Sequence, residues 1–410
     1  MGKTIHHALF WMVIANAVGL LAAVLLLWPQ VGVHLAPFTY GRLLPLHMNF
    51  HLYGWVSFPL IGLLFHLYGV SASSKLGRLA LILWSVSLVL GGLWWLAGHT
   101  SGKLFLDWKG LPRLVFSFAQ ATLWVVLALG QWRSGQSKWG LSARVLFLLL
   151  LLPVPFLMYA SAGTELYPPV NPHSGGATGS SLLGSTLVVI VLFLIPPFLL
   201  NKPEARSFAY GRLLFLLVVC HGVFFMLVDH GNQSHHEMTQ IFALATLLPW
   251  VPLLIAYYRG FSWPEGSRVW LLGFGFWGGL LAVTGWLSFL PGVLERWKFT
   301  NALVAHAHLA MAGMVSSFLM LLLISLNPRL RFLCHRLPAI CWQAACLLHV
   351  LILLVLGSWE STSAASFFYA DGLAHLAYAL RFLAGAVMFL ASLYWLIECR
   401  SQLKQPMVAT

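Results

Sequence analysis

Twelve long apolar runs constrain this chain more than any other feature. They fall at about 8–28, 43–69, 79–98, 113–131, 143–161, 181–200, 210–229, 238–258, 268–290, 301–325, 337–357 and 377–397. Each is near the roughly 20 residues that a helix needs to cross the hydrocarbon core of a bilayer. Only 8% of the residues are charged and 60% are hydrophobic; a soluble domain carries about 25% charged residues. The expectation is an all-α membrane protein with twelve transmembrane helices, a single polytopic domain over residues 1–410. The first run is too long and too weakly punctuated for a cleaved leader, so it reads as the first helix. No stretch between the runs is long enough for a soluble domain, and no internal repeat stands out.

The charge pattern predicts an orientation. The formal net charge of +13 lies in the loops, as the positive-inside rule requires, and carries no sign of nucleic-acid binding. All but seven of the 23 lysines and arginines, Lys138 among them, fall at the N-terminus, in every second loop and at the C-terminus. The seven are Arg42, Lys103, Lys109, Arg113, Arg296, Lys298 and Arg381. With twelve spans, both termini are predicted to be cytoplasmic. The five cysteines are scattered singly and read as buried apolar thiols.

Seventeen histidines in so apolar a chain need an account, because a polar group inside a membrane is costly unless paired or coordinated. In the predicted orientation His47 and His51 lie near the outer end of the second helix. His306 and His308 lie one to two turns inside the outer end of the tenth. His173, His230, His235 and His236 fall in outer loops or at outer helix ends. His349 stands alone in the eleventh helix and reads as a packing histidine. Residues two apart on a helix point about 200° apart, so His306 and His308 can serve two cofactors on opposite faces of one helix. The small residues around them, Ala305, Ala307, Ala310, Ala312 and Gly313, let a flat macrocycle approach the backbone. Neutral imidazole is the usual axial donor to haem iron.

Three segments carry a resemblance: "GRLLPLHMNF" (41–50), "KFTNALVAHAHLAMAG" (298–313) and "AHLAYALRFLAGAVMFLASLYWL" (374–396). They resemble the second, tenth and twelfth helices of the catalytic subunit (subunit I) of the haem–copper oxidase superfamily, nearest to the cbb-type oxidases and the nitric oxide reductase large subunit. The resemblance implies a bundle of the subunit I type in a bacterial inner (plasma) membrane, holding two haems, b-type by preference. It assigns His47 and His308 as axial ligands of a low-spin haem and His306 as the axial ligand, and catalytic centre, of a high-spin haem. Arg42 and Arg381 become candidates for the haem propionates. It also implies a cytochrome c-type or quinol electron donor and further membrane subunits.

The sequence departs from that family at the second metal, copper or non-haem iron. The sixth helix has no histidine, and the end of the seventh reads "VDHGNQSHH" (228–236). Three readings stay open: a metal on His230 with Asp229 or His173, a metal on His235 and His236 if their loop folds back, or no second metal. The family's tyrosine in the seventh helix is replaced within "HGVFFML" (221–227), and its ninth-helix glutamate by Thr284. Two functions are therefore expected. One is an oxidoreductase that passes electrons from the low-spin to the high-spin haem to reduce dioxygen or nitric oxide in a respiratory chain. The other is an accessory haem subunit, without the second metal, for electron transfer or gas sensing. A histidine-based transporter would place broken helices in matching halves, and no such pairing is legible.

Overall fold

The structure is a computed structural model and describes residues 2–133, 140–327, 329–362 and 372–404, so Lys138 lies outside the described residues. Among them, twelve helices are long and apolar enough to cross a membrane. They are α1 (Gly2–Leu27), α2 (Tyr40–Leu67), α3 (Lys75–Leu96), α4 (Leu111–Trp132), α5 (Leu141–Ala162), α6 (Gly179–Leu200), α7 (Phe208–Leu227), α8 (Met238–Tyr258), α9 (Arg268–Leu287), α10 (Asn301–Leu326), α11 (Arg336–Glu360) and α12 (Gly372–Gln402). Each overlaps one of the apolar runs. Extended pairing among the described residues is limited to a two-residue antiparallel ladder, Lys202–Pro203 with Phe261–Ser262, and the bridge Val170–Ala177. The chain is thus an all-α, multi-pass membrane protein.

The chain divides into two compact units, Met1–Tyr167 with Gly385–Thr410, and Pro168–Ala384. The first holds α1–α5 and the end of α12; the second holds α6–α11 and the start of α12. Two spans are interrupted by proline, which supplies no N–H for the helix ladder. α5 breaks between Leu151 and Val154 around Pro153. α8 breaks between Ala245 and Trp250, where Pro249 precedes the second segment.

α2 and α10 share a different device, one in each unit. Both contain a π-helical stretch, Phe50–Val56 in α2 and Leu309–Val315 in α10. A glycine lies seven residues after a histidine in each, Gly54 after His47 and Gly313 after His306. A Cβ on Gly54 would lie 2.6 Å from Trp11 Cβ of α1, and one on Gly313 would lie 2.6 Å from the Trp277 ring of α9. So in both places a tryptophan of the preceding helix fills the space over the glycine. Ser57 and Ser316, ten residues after the same histidines, close the π turns: their hydroxyls donate to Leu52 O at 3.0 Å and Met311 O at 2.8 Å. Single π turns in long helices cluster at functional sites. Because both helices remain hydrogen-bonded through the turn, they release no run of carbonyls to coordinate ions, as the unwound helices of ion-coupled transporters do.

Candidate functional site

The second unit encloses a cavity of about 560 Å³ lined by α6, α8, α9, α10 and the loop before α6. That volume is within the roughly 300–1,000 Å³ typical of cofactor and small-molecule pockets. One wall is a stripe of small residues on α9: Gly275, Gly278, Gly279, Ala282 and Gly285 all line the cavity. Their three- and four-residue spacing keeps them on one helix face. Ala310 and Met314 of α10 also line it; among the described residues His306 is its single histidine, and no cysteine or carboxylate lines it.

His306 is held in one orientation. The Thr284 hydroxyl donates to Leu280 O at 2.7 Å, so its oxygen can only accept from the His306 Nδ1–H, 3.0 Å away. A neutral ring with its proton on Nδ1 carries its lone pair on Nε2, the arrangement a metal-ligating histidine uses. A Cβ at Gly285 would stand 3.3 Å from His306 Cε1, so the glycine leaves room for the ring. Thr284 thus orients the histidine. Thr284→Val removes the acceptor at nearly constant volume. If His306 ligates a metal or haem, affinity there should fall about 10- to 100-fold, read by haem titration of the purified variant, with the fold retained by circular dichroism.

His47 and His308 carry the same tautomer, each within its own unit. The Nδ1 of His47 donates to Ala15 O of α1 at 2.9 Å, and that of His308 donates to Val304 O at 2.8 Å. A carbonyl can only accept, so Nδ1 is protonated in both and Nε2 is the basic nitrogen. His47 is pressed against Gly19: a Cβ there would lie 2.5 Å from His47 Cε1. The His51 ring is 4.8 Å from that of His47, and the His349 ring 4.6 Å from that of His308. His349 is thus a packing histidine, as expected, and the residue it packs on is His308.

The five residues expected to hold a second metal separate into two groups. His173, His235 and His236 come together, with ring centroids 5.0 Å apart for His173–His236 and 4.2 Å for His235–His236. Asp229 and His230 do not join them. Asp229 accepts from Gly231 N and Gln233, and the His230 Nε2 donates to Phe225 O at 2.7 Å. The cluster gains Glu295, which sequence reading passed over because it lies some sixty residues away. Glu295 Oε1 is 2.7 Å from His235 Nε2 and 3.0 Å from His236 Nε2, and the three side chains could meet at one ion.

The tautomer of buried His235 opposes that use. Asn171 Oδ1 accepts the His173 backbone N–H, so its amide donates to His235 Nδ1 at 2.7 Å. The His235 proton is then on Nε2, donated to Glu295, and no lone pair faces the cluster. The trio is better described as a clamp between loops. Burial alone would raise the Glu295 carboxyl, but hydrogen bonds from its own backbone and from His235 hold it below the usual carboxylate range. A depressed value means the contact is complete at neutral pH and is lost as pH falls through that value. Exchange of the amides of residues 231–237, corrected for intrinsic rates, should rise between pH 7 and pH 4. In Glu295→Gln it should already be high at pH 7.

Of the two outer arginines, Arg42 donates to Leu96 O at 2.9 Å. Arg381 donates to Asn301 Oδ1 at 3.1 Å at the start of α10. Asn301 in turn donates from its backbone and side chain to Glu360 at the end of α11. Neither arginine lines the cavity. The chain matches no protein-family model and no curated protein.

Proposed function

We propose that this chain is a membrane haem protein of the haem–copper oxidase type, with both termini cytoplasmic, in a bacterial inner membrane. The observation that carries the reading is the apolar cavity with His306, protonated on Nδ1, as its one histidine among the described residues. A haem bound there would supply a gas-binding iron capable of one-electron chemistry. The α9 stripe of small residues leaves a flat wall for a planar group, His306 offers Nε2, and Thr284 holds the ring. The apolar lining excludes water. The resemblance makes His47 and His308 the proposed axial ligands of a second, low-spin haem; each, within its own unit, is protonated on Nδ1 and offers Nε2. A cytochrome c-type or quinol donor and further membrane subunits belong to this reading.

The same cavity wall favours an electron-transfer or gas-binding subunit over a reductase. Reduction of dioxygen or nitric oxide in this family uses a second metal, and no second histidine, no cysteine and no carboxylate lines the cavity among the described residues. The reductase remains the second reading, and it would require the clamped His235–His236–Glu295 trio to open and take a metal. Adding carbon monoxide to the reduced protein tests the haem reading: a shifted Soret band is expected, and an unchanged spectrum would count against an open iron on His306. Metal analysis then separates the two functions. Iron equal to haem, with no copper, supports the subunit; about one extra copper or iron per chain supports the reductase.

A further inference from the structure

The cavity has a cation at one end. Lys298 is the one charged side chain among its lining residues, and it is half-buried. Its Nζ lies 3.5 Å from the place a Cβ on Gly175 would occupy, beside Ser174 and Gly176, which also line the cavity. The ammonium is 4.4 Å from the centroid of the Phe299 ring. Among the described residues no carboxylate is within ion-pair distance of it. The acid nearest in sequence, Glu295, is engaged by His235 and His236. An ammonium at the edge of an apolar cavity is a ready contact for an anion.

A second observation points the same way. Trp286 lines the cavity at the end of α9, the end that leads through Ser288 and Leu294 to Lys298. Its indole Nε1 is buried and has no acceptor among the described residues. Buried N–H groups are rarely left unmatched. An ammonium with no carboxylate beside it and an indole N–H with no acceptor ask for the same partner: an anionic group that accepts hydrogen bonds.

We propose that the cavity binds its ligand through a carboxylate. The ligand is an amphipathic acid whose flat apolar body lies along α9 toward His306 and whose carboxylate is held by Lys298, with the Trp286 N–H at the same end. This deepens the cofactor reading above, where the acid would be a porphyrin side chain, but it stands on Lys298 and Trp286 and not on iron ligation. A long-chain fatty acid offers the same carboxylate.

The test uses the full-length protein, purified in detergent and freed of any bound pigment, titrated with three probes: iron protoporphyrin IX, its dimethyl ester, and oleate. Wild type should bind the free-acid porphyrin about tenfold or more tightly than the ester. Lys298→Met should bind both forms alike, and Lys298→Arg should restore the preference, which also shows that the site still folds. Equal binding of acid and ester by wild type would overturn the proposal, as would an undiminished preference in Lys298→Met. If neither porphyrin binds but oleate binds in a Lys298-dependent way, carboxylate recognition stands and the haem reading fails. If no carboxylate ligand binds, the proposal falls.

Discussion

On the proposed reading, replacing His306 by glycine removes the carbon-monoxide-reactive haem and leaves a low-spin spectrum in place. The haem-to-chain ratio should fall from about two to about one. The reasoning is local. His306 is the one histidine among the described residues of the cavity wall, so no second imidazole can take its place. Its Nδ1 partner, Thr284, belongs to α9 and would remain in place with its hydroxyl bonded to Leu280 O. The vacated space is imidazole-sized, and free imidazole added to the variant should restore the reactive signal. A variant that keeps its full carbon monoxide response would place the open iron elsewhere.

The second large effect is expected at a residue that touches no cofactor. Gly19 of α1 faces the His47 ring so closely that a methyl group there would stand 2.5 Å from Cε1. Gly19→Ala must push the ring out of its hydrogen bond to Ala15 O. Overpacking of this kind costs about 1–3 kcal/mol, so the thermal midpoint should drop moderately. The low-spin spectrum should drop much more, close to the loss in His47→Ala. Because both changes act through one ring, the double variant should lose little beyond His47→Ala alone. Full additivity of the two losses would show that Gly19 acts through packing unrelated to His47.

The sequence made the helices legible because each apolar run is long and its neighbours are set off by charged or glycine-rich loops. His47, His306 and His308 stood out as candidates, since histidines in apolar helices are few and two of them share a His-x-His. Their orientation was not legible. It depends on Ala15, Thr284 and Val304, ordinary residues whose hydroxyl or carbonyl becomes informative only once helices pack. The matched device of α2 and α10 was present as histidine, a glycine seven residues on and a serine ten residues on, but a three-letter pattern inside apolar sequence does not rise above chance. The α9 stripe was readable as glycines at 275, 278, 279 and 285, yet small residues at helical spacing usually mean close packing. The outer loops were the least legible. Nothing local joins His173, the His235–His236 pair and Glu295, and the adjacency of Asp229 and His230 pointed to a pairing that the loop does not make. Lys298 read as one more loop charge because the cavity beside it is built from four helices.

The most direct measurement is the absorption spectrum and pyridine haemochrome content of the purified, detergent-solubilised protein. A Soret band with about two haems per chain is the expected result, with one haem lost on substituting His306. A colourless protein, in which neither wild type nor haem-supplemented preparations develop a Soret band, would contradict the account.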